Sequence, residues 1–152
     1  MPASRKPREL ILPHSTPVPN WIFDHLLGFE DVPGSSFKVL MFLWRRTIGW
    51  DKRADYVSLS QITAGTGVGR HQAVKAARLW EDVGLFKRVR AEDRRGMIRF
   101  VVDPNISGDE VCMRLGALVR EALDARLSLD QLVLRRHQTG ATTAPDLVLR
   151  WH

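Results

Sequence analysis

The sequence predicts a mainly helical protein with one small β-hairpin. Apolar residues recur at helical spacing in three stretches, 37–48, 73–80 and 111–127, as they do on amphipathic helices. The segments "LFKRVR" and "MIRFVV", separated by the hydrophilic "AEDRRG", predict two strands joined by a turn. With 152 residues, of which 44% are hydrophobic, the chain can bury the core of one domain plus an appendage.

Two helices are predicted before residue 50. Asn20 is a suitable N-cap for a short helix over 21–28. After the breaker "DVPGSS", Ser35 or Ser36 begins a longer helix that Gly49 ends. One face of this second helix is apolar and is expected to be buried; it comprises Phe37, Leu40, Met41, Trp44 and Ile48.

A helix-turn-helix is predicted next, after the polar loop "DKRAD" and the brief extended segment "YVSLS". Ser58 and Gln61 have the spacing of a capping box, so a helix opens there, and the glycines from 65 to 67 end it. Gly69 is the next cap, and the second helix runs to about Val83. Its inward side is expected to be formed by Ala73, Ala76, Ala77 and Trp80.

The order of helix, helix, turn, helix and hairpin is that of a winged helix-turn-helix. The predicted fold class is therefore mainly α with a small β-hairpin wing, followed by C-terminal helices. Three segments are expected: a flexible basic arm over 1–16, the winged helix-turn-helix domain over 17–103, and a helical extension over 104–152.

The extension has its own helical pattern. A helix is predicted over "DEVCMRLGALVREALDARL", and a second one begins at Ser128 with Gln131 in the capping-box position. The first helix could pair with a second copy of the chain in a homodimer or pack on the core of its own chain. Its apolar stripe consists of Val111, Leu115, Leu118 and Ala122.

The positive charge is concentrated in one segment. The chain has a formal net charge of +6. Residues 70–100 hold nine Lys or Arg against four Asp or Glu. A concentrated basic patch is typical of proteins that bind polyanions, whereas the alternative interpretation is a solvated charged surface. We therefore expect double-stranded DNA as the partner of this segment.

The second helix of the turn carries the candidate DNA-binding side chains. In a helix-turn-helix, the N-terminal residues of this helix lie nearest the base edges of the major groove. Arginine can form paired hydrogen bonds to guanine and glutamine to adenine, while lysine and arginine further along can neutralise phosphates. The candidates, all expected on the outer side, are Arg70, His71, Gln72, Lys75 and Arg78.

The hairpin supplies a second set of cations. Because side chains alternate along a strand, only some of them can face DNA, and the tip is the preferred contact. The candidate wing residues are Lys87, Arg88, Arg94 and Arg95. The arm residues Arg5, Lys6 and Arg8 could follow the minor groove or form a disordered basic tail.

Catalysis, cofactors and metals find little support in the sequence. The five histidines are scattered, without the spacing of metal ligands. "GTGVG" lacks the preceding strand and following Gly-Lys of a phosphate-binding loop.

The single Cys112 excludes an internal disulfide and suits a reducing cytoplasm. No apolar run is long enough for a signal peptide or membrane span. We expect a cytoplasmic, nucleoid-associated protein that is not an enzyme.

Part of the chain resembles the N-terminal domain of bacteriophage replication protein O. The resemblance covers "TPVPN" at 16–20 and the segment 37–86. Its most discriminating motif is "RRTIGW", followed by a polar loop and "SLSQI"; the matching residues are Arg46, Thr47, Gly49 and Trp50. The chain departs from the family at Gly65, where leucine is usual, and at Gly69, where serine is usual.

The resemblance implies a winged helix that binds repeated sites in a replication origin, usually as a dimer, and helps to recruit the host replicative helicase. It carries DNA recognition over to Arg70, His71, Gln72 and Lys75. The family's helicase-recruiting region is longer than the 49 residues that follow Asp103. Those residues could be a shortened helicase contact, a dimerisation helix or a cap over the winged helix.

The alternative functions for the whole chain are a winged-helix transcriptional regulator (a repressor) and a protein-docking adaptor.

Overall fold

The computed structural model describes residues 12–90, 97–103 and 105–139. Within them the protein is mainly helical, with a small antiparallel sheet. A π-helical turn comes first, at Ile22–Leu26. The elements that follow are α1 (Gly34–Thr47), a 3-10 turn (Ile48–Trp50), β1 (Ala54–Ser58), α2 (Leu59–Thr66), α3 (Arg70–Asp82), β2 (Phe86–Arg90), β3 (Met97–Val102), α4 (Gly108–Asp124) and α5 (Leu129–Thr139).

Helix α1 supplies the centre of the core. Leu40 and Trp44 of the predicted apolar face are buried, and Val39 and Leu43 are buried beside them. The other members of that face are half-buried against the same cluster. Since the indole Nε1 of Trp44 donates to the carbonyl of Pro17, at 2.8 Å, α1 also fixes the segment that enters the fold.

The ends of the first two helices differ from the predicted ones. The helix expected over 21–28 is π-helical at its centre, and the structure shows no side-chain cap hydrogen bond for that turn. Helix α1 ends at Thr47 rather than at Gly49, and the chain continues as the 3-10 turn. The left-handed residue that terminates the turn is Asp51, with φ 58°, a conformation that aspartate tolerates better than most residues.

The local signals around α2 and α3 are confirmed. The backbone N–H of Gln61 donates to Ser58 Oγ at 3.1 Å, and that of Ser58 donates to Gln61 Oε1 at 2.9 Å, so the predicted capping box is present. Gly67, with φ 75°, ends α2 in the left-handed conformation that glycine adopts readily. The predicted inward side of α3 is buried, including Ala73, Ala76, Ala77 and Trp80.

The sheet contains the predicted hairpin and one further strand. Strands β2 and β3 pair antiparallel, and β1 adds to the free edge of β3, which gives the order β1-β3-β2. Ile98 and Phe100 of β3 face the core, with Val57 opposite Ile98 and Arg88 opposite Phe100. The hairpin tip at 91–96, which includes Arg94 and Arg95, lies outside the described residues.

The two C-terminal helices join the same core. Ser107 Oγ accepts from two N–H groups of the first turn of α4, and Ser128 and Gln131 form the predicted capping box at α5. The predicted stripe of α4 is buried, and α5 buries Leu129, Leu132 and Val133 between α3 and α4. Helix α5 therefore lies directly against the helix that carries the candidate DNA-binding residues.

Candidate nucleic-acid interface

The N-terminal half of α3 presents three cationic or donor side chains to solvent. Arg70 and His71 are exposed and Lys75 is half-buried. None of the three has an acidic partner within the described residues. We call this set the open arc of α3. The N-cap residue of α3, Gly69, provides no side-chain cap, so the first N–H groups of the helix add partial positive charge at the same end.

Gln72 is bound within the protein. Its amide Nε2 donates to Ser35 Oγ of α1 at 3.2 Å and to Asp130 Oδ2 of α5 at 3.2 Å. Both N–H groups of the amide are therefore in use. Paired hydrogen bonding to adenine needs one of those N–H groups, so the predicted role of Gln72 requires at least one of these contacts to break.

The prediction that Arg78 lies on the outer side of α3 is wrong. Its side chain is fully buried, and its pKa falls to about 10 because burial disfavours the charged form and the cation of Arg88 lies nearby. Glu81 and Asp82 act in the opposite direction. In this conformation Arg78 is part of the interior and does not reach a phosphate.

Neighbouring residues of β2 have opposite placements. Lys87 is exposed, as expected of a wing contact. Arg88 is buried, and its Nε and Nη2 lie 2.9 and 2.8 Å from Glu81 Oε1. In this structure the Arg88 guanidinium joins β2 to the last turn of α3, so the predicted DNA contact of Arg88 would require this ion pair to open.

Helix α5 covers one side of α3 along most of its length. Near the N-terminus of α3, Asp130 accepts from Gln72 as described. Near the C-terminus, His137 Nε2 lies 3.0 Å from Asp82 Oδ1, and Arg136 lies between Asp82 and Glu121, at 3.8 and 3.2 Å. The N-terminal turn of α5 thus contacts the N-terminal half of α3, and its C-terminal turn contacts the C-terminal end of α3. The two helices therefore run roughly parallel.

This packing restricts how α3 can meet DNA. Packed helices lie about 8–10 Å apart, and the major groove is about 12 Å wide and admits one helix. With α5 in place, α3 can enter only with the side that α5 and β2 leave open. That side is the open arc, together with the N-terminus of the helix.

The remaining candidates fall outside this surface or outside the described residues. Arg5, Lys6 and Arg8 of the arm, like the hairpin tip, are not among the described residues. The "GTGVG" segment forms the end of α2 and the turn into α3.

The described residues also show little support for thiol or metal chemistry. Burial, and to a smaller extent the charge of Asp109, raises the pKa of the Cys112 thiol, which lowers its reactivity. In the described part of the chain, no group of His, Cys, Asp or Glu could hold a metal ion.

Comparison with known proteins adds no relative. The chain matches no family model, no curated protein and no solved structure. Among the helices that the structure describes, none has the length and apolar character needed to cross a membrane.

Proposed function

We propose that this chain is a winged helix-turn-helix protein that binds double-stranded DNA sequence-specifically through the N-terminal half of α3. The order of elements supports the proposal: α1, β1, α2 and α3 precede the β2–β3 hairpin, and β1 completes the sheet. In such a protein α3 is the recognition helix, and the hairpin is the wing.

One observation carries the proposal. The open arc places Arg70, His71 and Lys75 at an uncapped helix N-terminus without acidic partners in the described residues. Other cations of the same segment, such as Arg88, are buried in an ion pair. Unpaired donors at a helix N-terminus suit the phosphates and base edges of a duplex.

For the biological role we propose origin recognition of the phage replication type. The resemblance of residues 37–86 supports this role. A second copy of the chain and the replicative helicase are the proposed partners, and the cytoplasm, at the nucleoid, is the proposed location. The proposal includes no catalytic step and no cofactor.

The test is selection of bound fragments from source DNA by the purified chain at physiological ionic strength, followed by sequencing. We expect enriched repeats clustered in or beside the protein's own gene. Sites upstream of transcription units would replace the origin role with that of a repressor. Absence of any enriched sequence would contradict specific DNA binding and favour the protein-docking adaptor.

A matched pair of variants assigns the binding to α3. Arg70→Ala/Lys75→Ala removes two cations of the open arc, whereas Arg120→Ala/Arg126→Ala removes two exposed cations from α4 and the turn after it. On the selected duplex we expect a loss of about 1–3 kcal/mol for each base contact removed by the first variant. Equal affinities of the two variants would show that α3 is not the binding surface.

A further inference from the structure

A groove between α1 and α2 lies beside the helix-turn-helix and has no role in the proposed DNA contact. Its volume is about 520 Å³, and residues of α1 and the C-terminal end of α2 line it. We call it the α1–α2 groove. Among its lining residues, the half-buried Phe37, Met41 and Phe42 are called the floor here, and the exposed Lys38 and Arg45 are called the rim.

The floor is apolar and held in place. A Cβ at Gly65 would lie 2.2 Å from Phe42 Cε1, so the absence of a side chain there lets the Phe42 ring lie across the end of α2. The Phe37 ring packs against Trp80 of the core, at 5.5 Å between ring centres. Met41 lies between Phe37 and Phe42 in the sequence and is half-buried. Methionine adapts its shape to varied apolar partners.

The rim is cationic. Lys38 and Arg45 are exposed and lie seven residues apart on α1, a separation of about 10 Å along the helix axis. The guanidinium of Arg45 lies 4.5 Å from the ring centre of Trp50, and its Nη1 donates to the carbonyl of Gly49 at 3.0 Å. These contacts orient the cation. Among the described residues, no carboxylate lines the groove.

We propose that the α1–α2 groove docks an acidic amphipathic helix of a partner protein. Apolar side chains on one face of that helix would cover Phe37, Met41 and Phe42. Two carboxylates seven residues apart would face Lys38 and Arg45, because this spacing on the partner matches the spacing of the cations on α1. This proposal does not depend on DNA binding by α3.

The chemistry of the groove favours a peptide over a nucleic-acid backbone. A nucleic-acid backbone could pair with Lys38 and Arg45, but its phosphates cannot cover the apolar side chains of the floor without losing hydration there. An amphipathic helix instead buries apolar area there while its acids stay at the solvated rim, which is the helix-in-groove mode of peptide recognition.

The probe is a designed, fluorescein-labelled helical peptide of about four turns with leucines on one face and glutamates beside them, seven residues apart. Its comparator has lysines in place of the glutamates. Fluorescence polarisation with the full chain measures binding. We expect the glutamate peptide to bind roughly tenfold tighter than the lysine peptide or better, since complementary charge discriminates between partners. Equal binding of the two peptides, or no binding of either, overturns the proposal.

Two variants locate the site. Lys38→Glu/Arg45→Glu should weaken the glutamate peptide by about tenfold or more and reverse the preference between peptides. Met41→Gln, which keeps the side-chain length, should weaken both peptides alike. The control Arg120→Glu/Arg126→Glu makes the same change of charge at positions that do not line the groove and should bind as the unaltered chain does.

The remaining outcomes also decide the question. If the control loses as much affinity as the rim variant, net charge and not the groove governs binding, and the proposal is wrong. If an unlabelled duplex of random sequence displaces the peptide and the rim variant loses that duplex equally, the groove is a DNA surface instead. Retention of the melting temperature by Met41→Gln shows that its loss of binding is local.

Discussion

The two halves of α3 carry the same kinds of side chain in opposite environments. In the N-terminal half, Arg70 is exposed and lacks an acidic partner in the described residues. In the C-terminal half, Arg78 is fully buried near Arg88, Glu81 and Asp82. One half can therefore meet a ligand, while the other half is part of the core.

The difference comes from what packs on the helix and not from the helix itself. Strand β2 closes over the C-terminal half through Arg88 and Glu81, and α5 covers one side through Asp82 and His137. A basic residue on a recognition helix is thus a candidate ligand contact only where no second layer covers it. Variants in the two halves of α3, and in the elements that pack beside it, test this difference.

The largest effect is expected from Glu81→Gln. The Arg88 guanidinium is nearly fully buried and its charge is balanced by Glu81, with the buried Arg78 also close by. Arg88 is buried while Glu81 is partly exposed, so removal of the Glu81 charge leaves a buried cation that solvent compensates only in part. We expect a loss of up to about 3 kcal/mol in the free energy of unfolding. Urea unfolding followed by circular dichroism measures it.

The control for this variant is Glu121→Gln, which removes an exposed acid paired with Arg136. Exposed pairs contribute about 0–1 kcal/mol, so this change should be small. Equal stability of the two variants would contradict the structural role of the C-terminal half.

A smaller effect, on binding instead of stability, is expected from Arg70→Ala. Because Arg70 is exposed, its truncation should leave the unfolding free energy within about 0.5 kcal/mol of the original. On the selected duplex it should cost about 1–3 kcal/mol and relax discrimination at one base position. Anisotropy titrations on the selected duplex and on single-base variants of it measure both effects. A loss of stability without a loss of binding would reverse the assignment of the two halves.

The contact between the N-terminal half of α3 and α5 is tested with Gln72 and Asp130. Their hydrogen bond, at 3.2 Å, connects α3 to α5 beside the open arc. A double-mutant cycle with both alanine substitutions should give a coupling free energy of about 1 kcal/mol in unfolding. A coupling near zero would mean that α5 does not restrain Gln72 in solution and leaves it available to bases.

The smallest effect is expected from Lys87→Ala in β2, a strand of the proposed wing. Lys87 is exposed beside the buried Arg88, and as a phosphate contact it should weaken all duplexes alike. The slope of log affinity against log salt should become shallower by about one unit. Affinity measured over a range of salt concentrations tests this, and an unchanged slope would remove Lys87 from the interface.

Features set by neighbouring residues could be predicted from the sequence. The capping boxes at Ser58 and Ser128 are present because they need only a residue three positions away. The stripe of α4 that includes Leu115 and the hairpin strands follow from their periodicity. The sequence also predicts the extended segment "YVSLS", which overlaps β1. It does not predict the pairing of β1 with β3, since this pairing joins segments about forty residues apart along the chain.

The second layer on α3 could not be predicted. Gln72 meets Asp130 across 58 residues of sequence, and His137 meets Asp82 across 55. Periodicity places Arg78 on a side of the helix but does not show that another element covers that side. The alternation of side chains along β2 did indicate that Lys87 and Arg88 face opposite ways, although not which of the two faces inward.

We propose that the N-terminal half of α3 binds DNA while its C-terminal half stays in the core. The most direct test is an NMR titration of the isotope-labelled chain with its selected duplex. We expect the largest shift changes at the backbone amides of residues 69–75 and small ones at 78–82 and in α5. Large changes at 78–82 and along α5, with residues 69–75 unaffected, would contradict the claim.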